Sequence, residues 1–306
     1  MSTRNSPATA PIPENLQGLL LVIFATLCWS TSGIFINLIT DATQISAVGL
    51  AFWRDLSTFL ILLGAISFLR PQHLRVQRGD LPWLIAMGAV SIGTFHILWN
   101  TSVVVIGASL ATVMQSNAPI FVTVMAWFLF KEPLTARKIT AVILAAVGTV
   151  LIAGIQGSGN IQVTSFGLLI ALGSAITYGT LSLFGKKLSG TYHAWTILLY
   201  IFGFGTLTLL PFQFNRPLPS PISLETVLLF LGFLLISTIL GFGMYTAGLQ
   251  KLPASVASIT ATTEILFAYI LAYLLLGERL DFWQILGSAL IVSGVVLVSM
   301  QNKGKK

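Results

Sequence analysis

Apolar stretches of about 20 residues dominate this sequence, and that is the length an α-helix needs to cross the hydrocarbon core of a bilayer. They are continuously apolar rather than alternating, which favours helices over a β-barrel. Only 8% of the residues are charged, against about 25% in soluble domains. The sequence therefore predicts an all-α integral membrane protein with ten transmembrane helices, at residues 17–38, 46–69, 82–103, 108–130, 137–155, 166–186, 193–211, 224–246, 254–276 and 281–300.

Lysine and arginine are distributed unequally between the two sides of the predicted membrane. With both termini on one side, thirteen of these residues fall on that side and only two, Arg216 and Arg279, on the other. Basic loops stay in the cytoplasm. We therefore predict a multi-pass protein of the cell (inner or plasma) membrane with cytoplasmic N and C termini. The net charge of +7 is then a topology signal and predicts no nucleic-acid partner.

The chain contains an internal repeat. Segments that begin at Ala108 and Ala254 align without a gap, and the segments from Gly18 and Gly167 are also similar. Because each repeat holds five predicted spans, the second enters the membrane inverted relative to the first. Such inverted repeats are typical of transporters, with a substrate site between the halves. The predicted domains are a disordered cytoplasmic tail, a first repeat and a second repeat, at residues 1–16, 17–155 and 166–300.

Four short motifs carry a resemblance to a known family: "LCWSTSGIF", "FWRD", "AWFLFKEPLT" and "AYLLLGERLD". With them the chain resembles the EamA-type branch of the drug/metabolite transporter (DMT) superfamily over nearly its whole length. The resemblance implies ten helices in two inverted five-helix repeats, and the export of small metabolites or drugs. Two positions depart from the pattern. Trp29-Ser30 stands where an aromatic-Gly pair is usual, and Ile265 follows the acid of span nine where a proline is usual.

Small and polar side chains share faces on four of the predicted spans, at helical spacing. Inside a membrane such faces point away from lipid, either towards a substrate or towards a closely packed neighbouring helix. Both interpretations stay open for each face. The faces consist of Thr26, Ser30, Gly33 and Asn37; of Gly93, His96 and Asn100; of Thr112, Ser116, Pro119 and Thr123; and of Ala257, Ala261, Glu264 and Ala268.

These faces predict a substrate site between the repeats near the middle of the membrane. Its residues are Trp29, Ser30, His96, Trp99, Asn100, Gln115, Tyr178, Tyr245 and Glu264.

Three ionisable residues, Glu264, Arg54 and His96, are candidates for a coupling role or for structural charges. Glu264 is the only charged residue between positions 254 and 276, so it either exchanges a proton, engages a substrate amino group, or ties its helix to a neighbour. Arg54 bonds carbonyl groups or an acid such as Glu264. Its neighbour Asp55 points about 100° away along the helix, so that pairing is not assumed.

The function predicted is a secondary active transporter that exports small metabolites by alternating access. Because Arg54 is the one basic residue well inside a span, phosphorylated substrates are disfavoured. Amino acids or related zwitterionic, neutral or cationic compounds are preferred. The alternatives are multidrug or cation efflux by proton antiport, a channel, and a membrane-embedded enzyme. The sequence lacks phosphate-loop, metal-helix and clustered Cys/His motifs, so it predicts no cofactor and no metal. The predicted partners are a small-molecule substrate and membrane lipid, and the oligomeric state is left open.

Overall fold

The computed structural model describes residues 13–106, 111, 114–115, 117–153, 165–214, 222–276 and 282–300, and these contain helices and no β-strand. The first repeat contributes α1 (Glu14–Ser30), α2 (Ser32–Thr43), α3 (Ala47–Leu69), a 3₁₀ turn (Pro71–Leu74), α4 (Leu81–Ala86), the π-helix π1 (Met87–Thr94), α5 (Phe95–Ile106), α6 (Ala118–Phe130) and α7 (Ala136–Ala153). The second contributes α8 (Ser165–Ser189), α9 (Ala194–Leu209), a 3₁₀ turn (Leu210–Gln213), α10 (Leu224–Gly232), the π-helix π2 (Phe233–Leu240), α11 (Gly241–Lys251), α12 (Ala254–Ala261), α13 (Thr263–Leu276) and α14 (Phe282–Ser299).

The protein is an all-helical, multi-pass membrane protein. Within the described part of the chain, seven helices are long and apolar enough to cross a membrane, and 118–130 and 285–299 are shorter apolar helices. The predicted number of ten crossings stays a prediction. The break that the sequence indicates at Gly107 lies outside the described residues, as do Thr112 and Ser116.

Two of the long helices are interrupted by a single residue where hydroxyl groups compete for backbone carbonyls. Thr31 separates α1 from α2, and its Oγ1 donates to the carbonyl of Cys28 at 2.7 Å. Thr262 separates α12 from α13, and its Oγ1 donates to the carbonyl of Ile259 at 2.7 Å. Such bonds to the preceding turn bend helices. The interruption of the helix that carries Glu264 therefore comes from threonines and needs no proline.

The two π-helices occupy equivalent positions in the repeats. Met87–Thr94 and Phe233–Leu240 are each eight residues long and are separated by 146 residues, the offset of the repeat alignment. A π-helix is rare and is found frequently at functional sites. The residues that directly follow the two π-helices therefore hold matching places in the two repeats.

A matched pair of hydrogen bonds links the repeats. Ser91 of π1 bonds Thr180 of α8 through their hydroxyl groups at 2.6 Å. Ser237 of π2 bonds Thr31, at the start of α2, at 2.7 Å. The sequence offsets of the repeats relate Ser91 to Ser237 and Thr31 to Thr180. The serine of each π-helix thus bonds the equivalent threonine of the other repeat, which agrees with the two-repeat architecture.

The two ends of the helical bundle are distinguished by their residues. We call the end that carries Lys131, Lys186 and Lys251 the Lys-rich end, and the end with the connection at residues 44–46 the opposite end. All eight residues of α12, which begins at the Lys-rich end, are buried. At this end Gly18 of α1 packs closely against Leu252, since a Cβ on Gly18 would lie 2.7 Å from Cγ of that leucine. The Lys-rich end is therefore tightly packed.

Candidate functional site

A cavity of about 410 Å³ lies between the two repeats, and its walls come from both. From the deeply buried Ser258 of α12 it extends past the helix interruptions to Ala47, at the start of α3. It therefore lies between the middle of the bundle and the opposite end. Eight of the nine residues predicted for the substrate site line it, together with Arg54: Trp29, Ser30, His96, Trp99, Asn100, Gln115, Tyr178 and Glu264. That these residues bind a substrate stays a prediction.

Tyr245 is the predicted site residue that the structure places elsewhere. Its ring lies behind Trp29, with a distance of 4.9 Å between ring centroids, and it is not part of the cavity wall. Its hydroxyl bonds the hydroxyl of Ser182 at 2.6 Å. Tyr245 supports the aromatic wall from outside because the bulky Trp29 side chain stands between it and the cavity.

Aromatic rings form one wall of the cavity. Trp29 packs on Phe242 with 4.9 Å between centroids and meets the edge of Tyr178 at 6.5 Å. Phe95 lies 5.2 Å from Tyr178. Such rings bury large apolar area with few rotatable bonds and attract cations to their faces. The wall is suited to an apolar group or an organic cation.

Glu264 lies in the first turn of α13, directly after the interruption at Thr262. The hydroxyl of Tyr178 donates to its Oε2 at 3.4 Å. The start of a helix stabilises a carboxylate, whereas burial in a membrane disfavours the charge. An ammonium group placed beside such a carboxylate would favour its charged form.

The polar wall of the cavity is a compact charged cluster that the sequence had not indicated. Arg54 pairs with its neighbour Asp55, with Nε 3.1 Å and Nη2 3.0 Å from Oδ1. Asp55 is fully buried, behind the cavity wall. The pairing occurs despite the divergent directions of the two Cβ atoms, since the long arginine side chain can fold back onto an adjacent carboxylate.

His96 completes the charged cluster. Its Nε2 lies 2.5 Å and its Nδ1 3.1 Å from Nη2 of Arg54. A guanidinium only donates hydrogen bonds, so one ring nitrogen accepts and the imidazole is neutral in this arrangement. Its Nδ1 is also 3.5 Å from Oδ2 of Asp55. His96 thus holds the guanidinium from one side while the carboxylate holds it from the other.

The polar wall and the surroundings of Glu264 differ in net charge. Arg54 is bonded by Asp55 and His96, whereas Glu264 is bonded by Tyr178, so the expected alternative of an Arg54–Glu264 pair is not what the structure shows. The charge of Arg54 is compensated by a carboxylate, whereas no cation among the described residues forms an ion pair with Glu264. Within the described part of the chain, no group of three or more His, Cys, Asp or Glu side chains could hold a metal ion.

Several lining residues escaped the sequence-based prediction. On the helix with Glu264, the predicted face included Ala257, which is buried away from the cavity, and left out Ser258 and Thr262, which line it. The face shifts because the interruption at Thr262 changes the helical phase. Phe242 was also missed, although its equivalence to His96 in the repeat alignment was a usable signal.

The family profile of the EamA-like transporters matches residues 16–154 and again residues 165–300. The chain belongs to the EamA-like transporter family. It is similar to an uncharacterized inner membrane transporter, YicL, of Salmonella typhimurium (strain LT2), with 27% identity over 297 residues that cover 94% of this chain and 96% of the relative. It is also similar to a "probable terminal-alkyne amino-acid exporter" of Streptantibioticus cattleyicolor, with 24% identity covering 93% of this chain and 94% of that one.

A solved structure described only as the crystal structure of a protein has the same fold, with a TM-score of 0.78 at 15% identity over 92% of this chain and 96% of that chain. Family and relatives together support the role of a membrane transporter for a small molecule. Their names point to transporters rather than to enzymes.

Proposed function

We propose that this EamA-like transporter exports amino acids or closely related zwitterionic metabolites as a secondary transporter. One observation carries the proposal: a single cavity between the repeats holds an acid, Glu264, beside aromatic rings, and faces a guanidinium, Arg54, already neutralised by Asp55. The relative from Streptantibioticus named as a probable amino-acid exporter supports the same class.

The charges of the cavity set the chemistry of the substrate. A substrate ammonium group compensates Glu264. Nε and Nη2 of Arg54 already form hydrogen bonds with Asp55 and His96, whereas Nη1 has no hydrogen bond with the described residues. Nη1 is therefore the donor offered to a substrate carboxylate. A phosphorylated substrate would bring two or more negative charges to a site with one compensated cation, which argues against that class.

The transport mechanism that we propose is alternating access between the repeats. The cavity extends towards the opposite end and is closed at the Lys-rich end, where α12 is buried throughout. Rocking one repeat against the other would exchange these two arrangements. We propose that the Lys-rich end faces the cytoplasm, as the distribution of basic residues indicates, and that both termini lie there.

Counterflow in proteoliposomes tests the proposal. Purified protein is reconstituted with an excess of unlabelled L-phenylalanine or L-leucine inside, and uptake of the labelled amino acid is followed without a pH gradient. A saturable transient overshoot is expected. Steady conductance in a planar bilayer without counterflow would instead identify a channel. A thermal-shift screen against a metabolite library chooses further amino acids for the same assay.

A second candidate, efflux of organic cations by proton antiport, is favoured by the uncompensated charge of Glu264 next to Trp29 and Tyr178. It predicts that tetraphenylphosphonium, a cation without a carboxylate, is exchanged for protons. The double substitution Arg54→Gln with Asp55→Asn separates the candidates, since it removes the donor for a carboxylate without leaving a buried charge unpaired. Exchange of tetraphenylphosphonium by both the wild type and this variant, with no amino-acid exchange by the wild type, would favour the second candidate.

A further inference from the structure

Glu132, at the Lys-rich end, binds across the two repeats. It follows α6, and Lys131 between them has a positive φ of 57°, a left-handed conformation uncommon outside glycine. The backbone N–H of Glu132 donates to the carbonyl of Ala126 at 3.3 Å. The chain thus reverses sharply at the end of the helix, and this turn brings the carboxylate to a helix of the other repeat.

The carboxylate of Glu132 caps the start of α12. Its Oε1 accepts a hydrogen bond from the backbone N–H of Ala254 at 2.8 Å, and its Oε2 accepts one from the hydroxyl of Ser255. Lys138 binds the same Oε2 through Nζ at 3.0 Å, and its side chain is 3% exposed. Hydrogen bonds to an ionised group are stronger than neutral ones, and a carboxylate is favoured at the positive end of a helix.

The two helices that Glu132 joins also line the cavity. At the Lys-rich end they pack directly, with the fully buried Ala126 and Ala254 in one apolar cluster. Towards the opposite end, α6 contributes cavity wall through Pro119, and α13, which continues from α12 after Thr262, contributes it through Ile265. Glu132 therefore joins α6 to α12 at the Lys-rich end, whereas towards the opposite end the cavity separates α6 from the continuation of α12.

We propose that Glu132 is a positioning residue that latches the cavity shut at the Lys-rich end, and that its bonds to Ala254 and Ser255 break whenever the cavity opens to that end. This inference rests on the alternating access proposed above. These bonds exist only in the conformation that is closed at the Lys-rich end, so they stabilise that conformation relative to the open one. Weakening them therefore shifts the population towards the conformation that is open at the Lys-rich end.

Cysteine labelling from the two sides of the membrane tests the latch. In a Cys28→Ala background, Ser258→Cys reports on the deep part of the cavity. Gly33→Cys reports on the part towards the opposite end, where a Cβ meets no other atom within 4 Å. A membrane-impermeant maleimide is applied in turn to each side in oriented membrane vesicles. No substrate is needed, so the outcome is independent of whether amino acids are transported.

Glu132→Gln is expected to increase the rate of labelling at Ser258→Cys from the Lys-rich side by about tenfold, the scale of one weakened charge-assisted bond. Labelling at Gly33→Cys from the opposite side should fall. Ser223→Ala is the matched control: it removes the bond from the N–H of Thr226 to Oγ of Ser223 at 3.1 Å, a helix cap at the opposite end within one repeat. The control should leave both rates unchanged.

Unchanged labelling at both reporters in folded Glu132→Gln protein would overturn the latch. If this variant does not fold, Ser255→Ala decides, since it removes one of the three bonds that the carboxylate accepts. An increase of roughly threefold from the Lys-rich side is then expected, and no increase would equally overturn the proposal. Failure of counterflow with an intact labelling shift would instead count against the proposed substrate and leave the latch standing.

Discussion

The segments that follow the two π-helices have equivalent backbones and opposite chemistry. After π1, His96 bonds Arg54 and Asn100 lines the cavity. After π2, the equivalent positions hold Phe242, which packs on Trp29, and Thr246, which is buried. The two repeats thus share a π-helix and differ in the side chains that follow it, and these side chains give the cavity one polar and one aromatic wall.

The polar wall depends most on Asp55, so its loss should have the largest effect. Asp55→Asn leaves the buried guanidinium of Arg54 without its carboxylate, and breaking such a pair from one side costs about 3–5 kcal/mol. We expect a correspondingly low melting temperature in detergent. Asp41→Asn, at an exposed acid near the end of α2, is the control and should melt as the wild type does. Equal melting of both variants would show that the cluster is not a stabilising unit.

Exchanging residues between the equivalent positions tests whether the side chains alone account for the difference between the repeats. His96→Phe copies the second repeat into the first and removes the acceptor for Nη2 of Arg54, at a cost of about 1.5–3 kcal/mol for a bond to a charged group. His96→Gln keeps an acceptor at this place and should recover most of the lost stability. Denaturation in detergent measures both. If His96→Phe and His96→Gln lower the free energy of unfolding equally, the Arg54–His96 bond does not stabilise the polar wall.

The smallest effect is expected where the repeats are alike. Ser91→Ala and Ser237→Ala each remove one of the matched hydroxyl bonds between repeats, and bonds of this kind within membranes are worth about 0.6 kcal/mol on average. The two variants should be destabilised equally, and the double variant should show the sum. A large difference between them would mean that the two π-helices are not equivalent in function.

Sequence reasoning found the helices and most of the cavity because hydropathy and helical spacing reflect burial directly. Ser30, His96 and Glu264 were predicted from such faces, and all three line the cavity. It did not find the interruption at Thr262, which depends on hydroxyls competing for backbone carbonyls. The Arg54–Asp55 pair was also out of reach, because spacing along a helix gives the direction of Cβ and not the path of a long side chain.

Glu132 shows the same limit in a different form. Its partners, Ala254 and Ser255, lie more than a hundred residues later in the chain. The residue types alone do not indicate which backbone N–H at the start of a helix a carboxylate far away in the sequence will bind. The repeat pattern does place another Glu and another Ala-Ser pair at positions 278, 108 and 109, outside the described residues.

We propose that Glu264 contacts the substrate, or carries the proton that is exchanged for it, inside the cavity. Glu264→Gln keeps the size of the side chain and an acceptor for Tyr178, but it cannot carry a negative charge. Transport of labelled L-phenylalanine in proteoliposomes is measured with and without a pH gradient, with Glu225→Gln at an exposed helix start as the control. We expect the folded Glu264→Gln variant to lose accumulation driven by the pH gradient, while the control accumulates as wild type does. Accumulation by Glu264→Gln at the wild-type level would show that Glu264 is a structural acid only.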